Sequence, residues 1–213
     1  MTLCDPKFAA VLSDYNDRLA REAKIVHDPE ALKTIDVNDF LIPVGEEVGR
    51  LMHSLVVGLN ARIIVELGTS YGYSTLFLAD AARATGGKVY SYDVAAEKQG
   101  YATEQLKRAD LADFVEFRLG DAVTLLASQP GPVDFVLIDL WKDLYIPCLE
   151  QVAPLLGDSG TILADNMTFP PQSRGDALAY QRAVRAIPGM QATLLPVGNG
   201  IDIAVRQAFE SAN

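Results

Sequence analysis

The stretch RIIVELGTSYGYST, residues 62–75, decides the fold. Arg62 to Leu67 form a largely apolar run of strand length, Gly68 and Gly72 flank a tight turn, and a helix is expected from about Tyr73. A buried strand that turns straight into a helix is the repeating unit of a parallel sheet covered on both faces. The same alternation continues downstream. KVYSYDV (88–94), FVEFRL (114–119), VDFVLID (133–139) and TILAD (161–165) read as strands, with helices expected near 73–85, 97–109, 121–128 and 143–156. MQATLLPV and GIDIAVR, joined through the glycines of GNG (198–200), read as a closing antiparallel hairpin. Upstream, Phe8, Val11, Leu12, Tyr15 and Leu19 recur at helical spacing within 6–26. A connector with Pro29 and Pro43 covers 28–45, and a second helix, with acids in its first turn, is expected over 46–58. The architecture is therefore α/β, a doubly wound and mostly parallel seven-stranded sheet with two N-terminal helices. The chain reads as one domain over 1–213, with 1–60 as a helical cover and 61–207 as the sheet and core.

Composition narrows the class of partner. The 213 residues are 49% hydrophobic and 22% charged, within the range of ordinary globular proteins, and the formal net charge is -10. That charge argues against a nucleic-acid surface, which relies on clustered Lys and Arg. No apolar run is long enough to span a bilayer, and the N-terminal MTLCDPKFAA has neither the basic nor the apolar segment of a secretory signal. Cys4 and Cys148 lie far apart without metal-ligand spacing and read as reduced thiols of a cytoplasmic protein.

In sheets of this kind ligands bind beyond the carboxyl ends of the strands, and each strand here ends in polar chemistry. The glycine turn at 68–72 lets a ligand approach closely, and the exposed N–H groups of the following helix favour a carboxylate or phosphate; the bland alternative is a plain strand-to-helix turn. The spacing is not Gly-x-Gly-x-x-Gly, which weakens a nicotinamide reading. Asp93 ends the second strand, where an acid commonly accepts ribose hydroxyls, although an Asp there is also an ordinary cap. Gly120 and Asp121 follow the third strand. They are placed to read a base edge, and Asp121 is equally suited to cap the next helix. Together the three strand ends describe a nucleoside with a carboxylate-bearing tail, which S-adenosylmethionine fits.

ELGTSYGYST, the acid of YSYDV, LGDA, LIDLWKDLY and LADN, in this order, resemble the metal-dependent class I S-adenosylmethionine O-methyltransferases, with the nearest likeness to the catechol-methylating type. The likeness runs from IPVGEEVG at 42 to the closing strand at 205. It implies a Rossmann-like methyltransferase fold. By position it makes Val44, Glu66, Ser74, Asp93, Ala122 and Asp139 cofactor contacts, with Glu66 at the amino-acid end and Asp93 at the ribose. Gly68 would allow close approach, and Trp141 would lie beside the adenine and the acceptor ring.

Asp139 ends the fourth strand, and Asp165 and Asn166 end the fifth. Neighbouring parallel strands would bring these three side chains to one place. Two carboxylates and an amide carbonyl are hard oxygen donors that suit Mg2+, with Ca2+ or Mn2+ as substitutes, better than Zn2+, and neither His27 nor His53 falls nearby. Taken singly, each of the three also reads as an ordinary strand end or turn cap. Three protein oxygens leave room on the ion for two adjacent hydroxyls of a catechol. Lys142, three residues past Asp139, is the expected general base; spacing alone leaves open a solvent-facing Lys paired with Asp143, and the resemblance favours the base. Trp141, Lys142, Asn166 and Tyr71 are the expected acceptor-side residues, a core role being the alternative for Trp141. The acidic contact that the catechol enzymes place near their final strands has no clear counterpart here; Asp202 is the nearby acid but is not assigned to it. The partner expected is a hydroxylated aromatic small molecule, and the sequence leaves room for a homodimer. Two other readings compete: a nicotinamide-dependent oxidoreductase, and a cofactor-binding protein without catalysis.

Overall fold

The computed structural model describes residues 5–26 and 36–207. Cys4, His27 and the first part of the connector with Pro29 lie outside the described residues. The elements run α1 (Pro6–Val26), α2 (Glu46–Gly58), β1 (Ile63–Leu67), α3 (Tyr73–Thr85), β2 (Lys88–Asp93), α4 (Ala96–Arg108), β3 (Val115–Leu119), α5 (Ala122–Leu126), β4 (Val133–Ile138), α6 (Tyr145–Val152), β5 (Leu156–Ala164), α7 (Arg174–Ala186), β6 (Met190–Leu195) and β7 (Ile201–Arg206). Among the described residues the strands form one sheet in the order β3-β2-β1-β4-β5-β7-β6. The first five are parallel, and β7 inserts antiparallel between β5 and β6.

Strand periodicity divides the core. Ile64, Phe135, Leu137 and Leu163 face a cluster built with α1, α2 and α3. Their neighbours Val65, Val136, Ile138 and Ile162 face the opposite cluster, built with α5, α6 and α7. Both faces of the central strands are thus buried, which explains why their sequences are apolar without alternation. Helix α3 is buried almost all round because α1 and α2 cover it. Phe8 of α1 meets Phe77 edge-on at 5.3 Å, and a Cβ on Gly49 of α2 would lie 2.7 Å from the same ring. The two N-terminal helices are therefore packed into the fold on its cofactor-turn side.

Two expected elements change and one helix is added. The helix expected at 143–156 is a 3-10 turn (Lys142–Leu144), α6, and a second 3-10 turn (Ala153–Leu155) that carries Pro154 at its start. Strand β5 begins at Leu156, five residues before the expected start, because Leu156 already pairs with Val133; the register shifts before Thr161 meets Phe135, and GDSG bulges there with Ser159 at φ 65°. Helix α7 has no counterpart among the expected elements. Its buried face is Ala177, Tyr180 and Val184, spaced i, i+3, i+7, on an otherwise polar helix. Cys148 is a buried free thiol whose pKa burial pushes up to about 12. Among the described residues no helix is long and apolar enough to cross a membrane.

Candidate active site

A cavity of about 480 Å³ opens along the carboxyl ends of β1 to β4. Of the expected site residues, Val44, Gly68, Tyr71, Ser74, Asp93, Gly120, Asp121, Ala122, Asp139, Trp141 and Asn166 line it. Glu66, Lys142 and Asp165 stand behind this wall.

At the β1 end, Gly68 has φ 103°, and a Cβ there would sit 2.1 Å from the Asp139 carbonyl. The bare Cα is therefore demanded first by the neighbouring strand end, not by a ligand, which changes the reason given for this glycine. Glu66 differs from expectation as well. It is wholly buried beneath the turn, and its carboxylate accepts from the hydroxyls of Ser74 (2.6 Å), Thr75 (2.7 Å) and Ser91 (2.5 Å). Burial raises its pKa to about 7 against the lowering effect of those three donors. It acts on the cavity through Ser74, which it holds and which does line the wall.

Asp93 uses one carboxylate oxygen for the Ser70 N–H (2.7 Å) and the other for the Ala95 N–H (2.9 Å). These bonds fix its orientation and leave each oxygen a further lone pair for a ligand hydroxyl. Asp121 caps α5, accepting from the Thr124 N–H (2.8 Å) and hydroxyl (2.6 Å), which hold its pKa below the ordinary value. The capping alternative is realised, with Gly120 and Ala122 beside it in the wall.

At the other end of the cavity, β4 and β5 pair through Ile138 and Ala164, so Asp139 and Asp165 follow as neighbours. The Asp139 N–H bonds to the Leu67 carbonyl (2.9 Å) and the Asp165 N–H to the Ile138 carbonyl (3.1 Å), which keeps both backbones in sheet register to the last residue. Asn166 turns away with φ 59°, a conformation that Asn tolerates better than most residues. Its amide nitrogen donates to Asp139 Oδ1 at 3.1 Å, while its carbonyl accepts from the Asn199 amide at 3.0 Å. Burial pushes the pKa of both aspartates up, and the negative charge of Asp139 adds to the rise at Asp165. Asp165 Oδ1 is buried without a hydrogen-bond partner.

These features fit a small, hard cation. Oxygens adjacent on an octahedral ion with bonds of about 2.1 Å lie about 3 Å apart, close to the Asp139–Asn166 separation. With the Asn166 amide reversed its carbonyl would join Asp139 and its nitrogen would face Asn199, whose own amide can reverse in turn. Among the described residues there is no group of three or more His, Cys, Asp and Glu able to hold a metal, so a site here would also need the Asn166 amide.

Lys142 turns inward. Its Nζ donates to the Asp165 carbonyl at 3.0 Å and lies 3.6 Å from the centre of the Tyr145 ring, and the Tyr145 hydroxyl donates to the same carbonyl at 3.1 Å. Burial lowers the Lys142 pKa to about 8, opposed by the charges of Asp139 and Asp165. The solvent-facing alternative is thereby set aside. Trp141 is 60% exposed, so it serves no core role, and it presents its ring at the cavity. Tyr71 lines the cavity, but its ring is already covered, with the Arg18 guanidinium 3.9 Å from its centre and Tyr101 edge-on at 5.5 Å. Asp202 is fully buried and pairs with Arg185 of α7 at 2.9 Å, away from the cavity wall. Asn199, Tyr145 and Arg18 were not singled out from sequence. The GNG turn contains Asn199, but it reads as a turn signal and nothing more.

The methyltransferase domain family matches residues 65–167, from β1 through the loop that carries Asp165 and Asn166. Caffeoyl-CoA O-methyltransferase 1 of Eucalyptus globulus is 27% identical over 186 residues, covering 78% of this chain and 75% of that enzyme. Its namesake in Arabidopsis thaliana is 28% identical over 187 residues, covering 78% and 72%. An O-methyltransferase from Bacillus cereus, solved in complex with SAH, superposes with a TM-score of 0.75 at 25% identity, covering 93% of this chain and 91% of that one. The matched domain and these relatives mark the chain as an S-adenosylmethionine-dependent O-methyltransferase. As an O-methyltransferase it binds S-adenosylmethionine, and the nicotinamide reading and the non-catalytic reading both fall. The family match begins and ends at the two strand-end groups described above, so α1, α2, β6 and β7 lie outside it.

Proposed function

We propose that this O-methyltransferase moves a methyl group from S-adenosylmethionine to one hydroxyl of a catechol-like small molecule, with Mg2+ held by Asp139, Asp165 and Asn166 and with Lys142 as general base. The observation that carries the reading is the unpartnered, buried Oδ1 of Asp165 beside Asp139 and Asn166. A buried carboxylate oxygen left without a donor is costly, and two carboxylates raised by burial and mutual repulsion are what a divalent cation would relieve. When bound, such an ion lowers the pKa of a coordinated hydroxyl.

The chain's own residues account for the rest of the chemistry. Lys142 is held at the edge of this group with its pKa near 8, so a useful fraction is neutral at mildly alkaline pH and able to accept a hydroxyl proton. Trp141 offers a flat, exposed face at the mouth for an aromatic acceptor. The turn at 68–72, Ser74 and Asp93 would hold the two ends of the cofactor, which when bound supplies the electrophilic methyl for the acceptor oxygen. The relatives named for caffeoyl-CoA methylation support an acceptor with adjacent ring hydroxyls. The net charge of -10 favours a small molecule over a nucleic acid.

The test is transfer of labelled methyl to 3,4-dihydroxybenzoate and caffeate, with Mg2+ and with chelator. Turnover should require the metal and disappear with a monohydroxylated analogue. Equal turnover in chelator would remove the metal from the mechanism.

A further inference from the structure

The roof of the cavity is the segment from Leu41 to Val44, which lies before α2 and outside the family match. Its floor on the same side is the glycine turn that ends in Tyr71 and Gly72. Two side chains of α1, one helical turn apart, bond the backbone of this roof or of Asp39 just before it, and Arg18 also reaches the turn. Arg18 Nη2 donates to the Asp39 carbonyl at 2.9 Å, and Glu22 Oε2 accepts from the Leu41 N–H at 2.8 Å. Arg18 and Glu22 also pair with each other at 2.5 Å, with both side chains mostly buried. The Arg18 guanidinium lies 3.9 Å from the centre of the Tyr71 ring and 5.3 Å from that of Tyr101 on α4. Beneath it the Tyr15 hydroxyl donates to the Tyr71 carbonyl at 2.6 Å.

One charged group therefore joins the roof backbone, the turn that receives the cofactor and the helix after β2. A buried guanidinium with a carboxylate, a carbonyl and two aromatic faces as neighbours holds a fixed geometry, because each partner uses a different part of its planar fork. We propose that Arg18 and Glu22 are positioning residues for S-adenosylmethionine, clamping the 39–44 roof to the 68–72 turn and so setting how tightly the cofactor is held. The proposal rests on the cofactor assignment and adds to it two residues of α1 that line no part of the cavity.

The experiment compares S-adenosylmethionine affinity by calorimetry, the cofactor KM and kcat, and amide exchange over 39–44. It is applied to the full-length wild type, Arg18→Met, Arg18→Lys, Glu22→Ala and Glu22→Gln. Arg108→Met serves as control, since its ion pair with Asp14 also fastens α1 to α4 but reaches neither roof nor turn. Loss of a stacked, charge-assisted contact should weaken cofactor binding about ten-fold in Arg18→Met. KM should rise with it, kcat at saturating cofactor should stay within about two-fold, and the 39–44 amides should exchange faster. Glu22→Gln, which keeps an acceptor for the Leu41 N–H, should fall between Glu22→Ala and wild type. Arg108→Met should leave affinity unchanged whatever it does to Tm. Wild-type affinity in both Arg18 variants overturns the clamp, as does an equal loss in Arg108→Met. A wild-type protein that binds no S-adenosylmethionine overturns the cofactor assignment and the clamp together.

Discussion

The carboxyl ends of β1 and of β5 each carry a buried acid, and the fold treats the two differently. Glu66 is surrounded by three hydroxyl donors from Ser74, Thr75 and Ser91. Asp165 keeps one oxygen without a partner and faces a second carboxylate. The first acid is finished by the protein itself and serves as scaffold for a turn. The second is left electrostatically incomplete, and its unmet need matches a ligand that the chain does not supply. Residue type is the same in kind at both ends, so what separates framework from chemistry is whether the surrounding donors saturate the acid.

The largest effect expected from this contrast is at Lys142. Lys142→Met should lower kcat by about 10²–10⁴-fold, the usual contribution of a positioned base, while calorimetric metal affinity holds or improves because a nearby positive charge is gone. Retained kcat would remove Lys142 from proton transfer. Next comes the pair of acids. Glu66→Ala strands three buried hydroxyls and should cost stability on the order of 3 kcal/mol, read from denaturant midpoints. Asp165→Asn relieves repulsion and should leave the metal-free protein as stable or slightly more stable, by up to ~1 kcal/mol, while turnover is lost. Should Asp165→Asn destabilise as much as Glu66→Ala, the distinction between the two ends fails.

The smallest effect is on pH dependence. Burial raises the pKa of Glu66 to about 7 from an ordinary 4.5, and it raises Asp139 and Asp165 in the same direction. The native state then holds protons that the unfolded chain has released, so stability is greatest below about 4.5 for these groups and falls as pH rises towards 7. Melting curves without metal should show a decline from pH 5 to pH 8, and saturating Mg2+ should flatten the part that belongs to the aspartates. A profile that rises over that range would contradict the burial of ionised acids.

Much of this was legible in the sequence. The strand–turn–helix unit at 62–75 and its repeats locate β1 to β5, because strands buried on both faces must be apolar throughout. Parallel order then places Asp139 beside Asp165 and Asn166 without further information. Helix α7 was not legible, since its buried stripe is made of Ala177, Tyr180 and Val184 among charged residues after two prolines. The early start of β5 was hidden in GDSG, a composition that ordinarily breaks a strand. The reason for Gly68 and the indirect role of Glu66 depend on distances between strand ends, which no local pattern records. Arg18, Glu22 and Asn199 were invisible for a similar cause: their partners lie about 20 to more than 50 residues away in sequence, and only the packed helix and the final hairpin bring them together.

In the proposed mechanism, methyl transfer depends on a divalent-cation site at the ends of β4 and β5. The most direct measurement is calorimetric titration of metal-stripped protein with Mg2+, run beside Asp165→Asn and followed by methylation of 3,4-dihydroxybenzoate in the same samples. Expected are a single saturable site in the wild type, its loss in Asp165→Asn, and turnover that follows occupancy. Turnover in metal-stripped protein equal to that with Mg2+, or undiminished Mg2+ binding by Asp165→Asn, would contradict it.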